Sequence, residues 1–329
     1  MSIRNDSVIL VTGANGFLGH HVTQALEVYR NGGSSGARRN IKILTPTSSE
    51  LDLLVSNQVR LYLVRNKPNI VIHLAAQCGG IGINREKPGE FLYNNLMMTT
   101  NLIEWCARLT RNEDGPTIEK FVGIGTVCSY PKHTPVPFRE ENLYDGYPEE
   151  TNAPYGIAKR VQLEMLKAYR TQYGFNGIFL IPVNMAGEWD NFHDESSHVI
   201  PAMLKKFHHA KATGASSVTL WGDGSASREF LYAGDCAEAI LRATLMYDSS
   251  EPVNIGTGTE VSIRELAEKV KRVVGFEGQI KWDITKPNGQ PRRCLDTSRA
   301  EEEFCFQAVT SLDVMLDRSY TWAQENRVL

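Results

Sequence analysis

Short, uniformly apolar runs alternate with stretches of helical periodicity through the first half of the chain. Residues 8–12, 41–44, 70–74 and 121–124 are dominated by Val, Ile, Leu and Phe without polar alternation, the mark of strands buried on both faces. Between them, 17–30, 55–66 and 94–109 carry apolar side chains at helical spacing. Strands alternating with helices predict a parallel sheet covered by helices on both sides, a doubly wound α/β fold. The alternation continues with a helix over about 154–173 and a strand at 178–182. After 185 it loosens, with strand signals at 218–220 and 252–255 among helical segments near 198–211, 235–246 and 262–273. The expected organisation is a first domain over 1–184 and a smaller C-terminal α/β lobe over 185–329. Elements near 235–260 are expected to return to the first domain.

Two stretches fall outside the periodicity. Gly32-Gly-Ser-Ser-Gly-Ala-Arg-Arg39 reads as a surface insertion whose arginines are either solvated or turned toward a cofactor phosphate. Lys286-Pro-Asn-Gly-Gln-Pro-Arg-Arg293 reads as a loop. Composition narrows the function. A chain of 329 residues can bury a large core, and a net charge of −3 offers no basic face for nucleic acid or a membrane. Six scattered cysteines without a Cys-x-x-Cys pair argue against a metal site or a disulfide framework. The first strand begins close to Met1, leaving no room for a signal peptide, and no apolar run reaches the ~18 residues of a membrane span. A soluble, reduced, cytoplasmic enzyme is expected.

The chemistry begins where the first strand runs into Gly13-Ala-Asn15-Gly16-Phe17-Leu18-Gly19. The three glycines permit a tight turn, close approach of backbone to a pyrophosphate and close packing of helix on strand, which makes the fold Rossmann-type. The second strand ends in Thr45-Pro-Thr-Ser-Ser49 with no carboxylate at its tip, which leans the dinucleotide toward NADP; Asp52 follows, where it can face the adenine. Ala75 and Ala76, in Leu74-Ala-Ala-Gln77, are small enough for backbone to pass beside the cofactor. Thr126 follows the fourth strand, and Tyr155 precedes Lys159 by one helical turn. The ammonium is expected to lower the phenol pKa toward neutrality and make Tyr155 a usable acid or base.

A hydroxyl, a tyrosine and a lysine in this order resemble the reaction centre of the short-chain dehydrogenase/reductases, in their extended, nucleotide-sugar-modifying branch. Asp190-Asn-Phe-His-Asp-Glu-Ser-Ser-His198-Val-Ile-Pro-Ala202, Trp221-Gly-Asp-Gly-Ser-Ala-Ser-Arg228-Glu-Phe230, Cys128-Ser-Tyr-Pro131 and Lys286-Pro-Asn-Gly-Gln-Pro-Arg292 are similar to the GDP-L-fucose synthase family through nearly the whole chain. The resemblance implies an NADPH-dependent 3,5-epimerase/4-reductase of GDP-4-keto-6-deoxymannose. Tyr155 then donates to the C4 oxygen, and Lys159 tunes Tyr155 and holds the nicotinamide ribose. Thr126 stands for the usual serine, and Cys128 and His198 form the acid/base pair of epimerisation. Tyr155, Lys159 and His198 border the cofactor as well. A thiol and an imidazole titrate near enough to neutrality for that work.

The resemblance also gives Arg228 a diphosphate contact, with Asn184, Lys206, Trp221 and Lys286 as further substrate-binding candidates. Lys206 replaces a common arginine, and Met185-Ala-Gly-Glu-Trp189 replaces the usual Tyr-Gly-Pro beside the sugar. A related GDP-4-keto sugar such as a heptose therefore stays open. So do a reductase-only or epimerase-only enzyme and a catalytically idle dinucleotide-binding sensor. A homodimer is implied, its helices drawn from 94–109 and 154–173; Leu96, Met97, Leu102 and Trp105 serve equally as intramolecular core.

Overall fold

The structure is a computed structural model describing residues 3–33, 36–112, 116–194, 196–286 and 290–329. Its centre is a six-stranded, wholly parallel sheet. The strands are β1 (Val8–Thr12), β2 (Lys42–Leu44), β3 (Ile70–His73), β4 (Lys120–Ile124), β5 (Gly177–Pro182) and, much later in the chain, β9 (Val253–Ile255). They lie in the order β2-β1-β3-β4-β5-β9. Strand order reverses beside β1, and the ends of β1, β3 and β4 open there onto a crevice, as doubly wound sheets require. β1, β3, β4 and β5 are buried almost throughout, as their unbroken apolar runs predict. β2 departs from expectation: Lys42 is exposed and Ile43 and Leu44 only half-buried, because β2 is an edge strand with one neighbour.

Helices α1 (Phe17–Arg30) and α2 (Ser56–Asn66) form where helical spacing predicts them. The long α4 (Pro88–Thr110) starts earlier than its apolar spacing suggests, after a short α3 (Ile81–Glu86). Pro88 occupies its first turn, where a missing N–H costs nothing. Helix α5 (Ala153–Tyr173) ends at Gly174 in the left-handed region, and it packs along α4. Beyond β5 come β6 (Asn184–Ala186), α6 (Val199–Ala212), β7 (Ser217–Trp221), β8 (Ser227–Tyr232) and α7 (Ala233–Met246). The chain finishes with β10 (Glu260–Ser262), α8 (Ile263–Val274), β11 (Gln279–Asp283), α9 (Ser298–Phe304) and α10 (Leu312–Glu325).

Two apolar cores result. The larger surrounds the six-stranded sheet and includes Cys236 and Ile240 of α7 and Val253 and Ile255 of β9, with α7 lying against α1. The smaller joins α6, α8 and α10 through Leu204, Phe207, Leu266, Val270 and Leu316 beneath a three-stranded sheet (β10-β8-β6) and a parallel pair (β11-β7). The apolar spacing did not announce β6, β8, β10, β11 or α10. β8 begins Ser227-Arg-Glu and β11 is half-exposed, so neither presents an unbroken apolar run. No helix among the described residues is long and apolar enough to cross a membrane.

Candidate active site

A cleft of about 1990 Å³ runs from the ends of β1, β3 and β4 to the inner face of α6 and the start of β8. Gly13 turns the chain at φ +72°, and a Cβ there would stand 2.6 Å from the Ala75 nitrogen. A Cβ on Gly19 would stand 2.1 Å from the Gly13 carbonyl oxygen, so α1 can start this close to β1 only with glycine at both positions. Gly16 is less crowded and lines the cleft with Phe17, Leu18, Ala75 and Ala76. This cradle of backbone at a helix start fits a dinucleotide pyrophosphate. Below it, Thr12 Oγ1 lies 2.7 Å from His73 Nδ1, and His73 Nε2 lies 3.2 Å from Thr99 Oγ1. Burial pushes the His73 imidazole down to about 3, so it stays neutral and braces the strand ends.

Two cofactor candidates do not reach this cleft. Asn15 lines a shallow neighbouring pocket with His20, Thr45 and Trp189. Asp52 Oδ1 accepts the Leu54 N–H at 2.9 Å, and Leu54 rather than Asp52 lines the cleft. The insertion's Arg39 is also occupied: it stacks 4.0 Å over the Tyr29 ring and donates to the Tyr29 carbonyl. Ser34 and Ser35 of that insertion lie outside the described residues, as do Glu195 and Pro287–Gly289 of the later motifs.

Tyr155, Lys159, Thr126 and Cys128 converge on one wall. Thr126 caps a single 3₁₀ turn, Val127–Ser129, its hydroxyl accepting the Cys128 N–H at 3.2 Å. That turn can dock on α5 because the residue after Tyr155 is glycine: a Cβ on Gly156 would lie 2.5 Å from the Cys128 carbonyl oxygen. Ser129 Oγ donates to the Gly156 carbonyl at 3.1 Å, and Arg160 Nε to the Ser129 carbonyl at 2.7 Å. The electrostatics correct the expectation for Tyr155. Lys159 Nζ is 5.9 Å from the ring centre, too far to outweigh burial, which pushes the phenol well above its ordinary range. Burial also brings the Lys159 ammonium down to about 8.

His198 faces the cleft from the N-cap of α6. The adjoining Ser196 carbonyl accepts the Gly80 N–H at 3.1 Å, which ties this segment to the loop after β3. Asp190, buried, holds Oδ1 3.7 Å from His198 Nδ1, and this interaction raises the imidazole pKa against the opposing effect of burial. The quoted motif contains Asp190, but spacing alone does not say that the carboxylate turns toward the imidazole.

The far wall carries Asn184, Lys206, Trp221 and Arg228. Burial, then the Arg293 guanidinium, brings Arg228 down to about 10, still charged at neutral pH. Asn184 Nδ2 donates to the Glu229 carbonyl and Lys206 Nζ to the Thr219 carbonyl. Lys286 lies outside the lining, its Nζ 5.6 Å over the Trp221 ring. Of the divergent 185–189 stretch only Met185 borders the cleft; Trp189 belongs to the shallow pocket. Sequence reasoning missed Arg293, whose Nη1 stands 3.8 Å from Cys128 Sγ. Its one signal was the second arginine of Pro291-Arg-Arg293. Arg292, the first, faces outward and pairs with Glu260.

Known proteins resemble this chain in sequence and in fold. A family model described as the NAD dependent epimerase/dehydratase family matches residues 9–256. GDP-L-fucose synthase 1 of Arabidopsis thaliana is 39% identical over 318 residues, covering 97% of this chain and 93% of that protein. A GDP-L-fucose synthetase from Naegleria fowleri bound to NADP superposes with TM-score 0.87 at 25% identity, over 99% of this chain and 97% of that one. A GDP-6-OMe-4-keto-L-xylo-heptose reductase from C. jejuni superposes with TM-score 0.88 at 26% identity, over 99% and 100%.

Proposed function

The chain belongs to the NAD dependent epimerase/dehydratase family, and from that premise we propose that it converts GDP-4-keto-6-deoxy-D-mannose to GDP-L-fucose. It is an NADP-dependent oxidoreductase/epimerase, like the GDP-L-fucose synthases it resembles. The observation that carries the reading is the opening of two sets of groups onto one cleft: Tyr155 with Lys159, and Cys128 with an Asp190-supported His198.

The C4 ketone acidifies the hydrogens on C3 and C5. At each carbon Cys128 takes the proton as the C–H bond breaks to an enolate. His198, which Asp190 favours in its protonated form, returns a proton to the opposite face, and proton exchange with solvent restores both groups before the second carbon reacts. Bound NADPH supplies the hydride that then reduces C4. Tyr155 gives its phenolic proton to the C4 oxygen, and a raised pKa keeps that proton in place until it is needed. Thr126 Oγ1, already accepting the Cys128 N–H, has its own proton free to bond the same oxygen. Lys159 holds the nicotinamide ribose, and Gly13, Gly16 and Gly19 admit the pyrophosphate. Arg228 grips the substrate diphosphate, a task suited to a planar guanidinium, with Lys206, Asn184 and Trp221 beside it.

In the same proposal, residues 1–184 with α7 and β9 hold the cofactor, and the remainder after 185 closes over the sugar nucleotide. Two copies pair in the cytoplasm through α4 and α5, whose Tyr93 and Val161 are exposed; the candidate Leu102 is buried core, and Trp105 Nε1 is bonded to Ser56. A second reading, a reductase of a related GDP-4-keto sugar such as a heptose, is favoured by the likeness to the C. jejuni enzyme and by Met185 in the cleft. Turnover of GDP-4-keto-6-deoxy-D-mannose with NADPH separates them. One NADPH oxidised per GDP-L-fucose formed supports the first; a C4-reduced product with C3 and C5 unchanged supports the second and overturns the first.

A further inference from the structure

Alternation along β8 turns Arg228 and Phe230 into the cleft and Glu229, between them, to the opposite side. There the Glu229 side chain is fully buried, and no cation pairs with it among the described residues. Four donors meet it instead. Oε1 accepts the Thr257 N–H at 2.5 Å, the Gly258 N–H at 2.8 Å and the Thr257 hydroxyl at 3.3 Å. Oε2 accepts the Leu295 N–H at 2.7 Å. Both oxygens must accept, which a carboxylate does and an amide does not. These bonds cross between the two cores. β8 carries Phe230 of the smaller core, whereas Leu295 and Ile255, two residues before Thr257, belong to the larger. The main chain reinforces the joint: Ser227 N–H donates to the Pro291 carbonyl at 2.9 Å and Glu229 N–H to the Arg293 carbonyl at 3.1 Å. The neighbouring Cys294 carbonyl accepts the N–H of Phe138, a residue of the larger core, at 2.8 Å.

A sugar nucleotide has to reach across that joint, with its diphosphate at Arg228 and its reacting carbons at Cys128 and Tyr155. We infer that Glu229 is a positioning residue that fixes this span, its carboxylate tying the strand that bears Arg228 to the sheet that carries the reacting side chains. This rests on the proposed grip of Arg228 on the diphosphate. Lys206 and Trp221 stand on the same wall, and α6, β7 and β8 share the smaller core through Leu204, Leu220 and Phe230. A loosened joint therefore leaves the nucleotide half of the site whole and displaces it from the reaction centre. Misplacement by about 1 Å costs roughly a hundredfold in rate.

The test separates binding to each half from reaction across both. Dissociation constants of the intact protein for GDP and for NADPH are measured by calorimetry, and turnover of GDP-4-keto-6-deoxy-D-mannose by NADPH oxidation. Glu229→Gln sets an amide donor against a backbone N–H; GDP and NADPH should bind as they do to wild type while kcat/KM falls about a hundredfold. Gly256→Ala strikes the same contact from the other side, since a Cβ there would lie 2.2 Å from Glu229 Oε1, and should show the same split. Glu229→Asp keeps the charge on a shorter arm and should lose less; it carries the comparison where the glutamine variant does not fold. A role in stability alone would weaken GDP binding, NADPH binding and turnover together as Tm falls, and would overturn the inference. Wild-type kcat/KM in Glu229→Gln would overturn this inference alone. A wild type that turns over no GDP-4-keto sugar would overturn the functional reading and this inference with it.

Discussion

At the level of single side chains, burial decides more than charge spacing does. A tyrosine one helical turn before a lysine invites the conclusion that the ammonium acidifies the phenol. The folded chain holds Lys159 at 5.9 Å from the ring and raises the phenol instead, which suits an acid that must keep its proton. Tyr155→Phe should lower C4 reduction by about a hundredfold or more while C3 and C5 exchange persists; equal loss of both, measured side by side, would show the two roles are not separable. His198 is governed by Asp190. Because the carboxylate raises the imidazole pKa, His198 keeps its proton to higher pH, and epimerisation fades as pH rises through that value. Asp190→Asn should therefore move the alkaline limb of the exchange profile to lower pH, and an unmoved limb would remove Asp190 from the mechanism. Tyr155 and Lys159 were singled out by their helical spacing, and Cys128 and His198 by the family resemblance of the segments that carry them. The directions of Asp190 and Arg293 were not legible, since only folding turns them toward an imidazole and a thiol.

Among the secondary elements, one small residue brings the two chemistries together. Without a Cβ on Gly156, the Thr126–Cys128 turn can rest on α5 beside Tyr155. Gly156→Ala forces a contact under 3 Å with the Cys128 carbonyl, and the turn must shift. Overpacking of this kind costs about 1–3 kcal/mol. A modest fall in Tm accompanied by loss of both exchange and reduction is expected; full activity with an unchanged Tm would mean the turn relaxes freely. The buried strands and α1, α2 and α5 were legible because continuous apolar runs and helical spacing each have one structural solution. β8 and β11 were not, since charged or half-exposed short strands acquire their identity from their partners. Nor was the true start of α4, set by Pro88 rather than by apolar spacing.

For the whole molecule, the cleft lies where two cores meet, with the cofactor cradle on one side and Arg228 on the other. The doubly wound sheet and its crevice followed from the alternation of strands and helices. The far wall depended on segments 184–232 and 290–293, distant in sequence and joined by the Ser227 N–H to the Pro291 carbonyl and the Glu229 N–H to the Arg293 carbonyl. The central claim is that one cleft performs both carbon epimerisation and carbonyl reduction. Turnover of GDP-4-keto-6-deoxy-D-mannose with NADPH in deuterated water tests it directly, by product mass and configuration. Two carbon-bound solvent deuteriums in GDP-L-fucose, with NADPH oxidised, are predicted; reduction with no deuterium on carbon would contradict it.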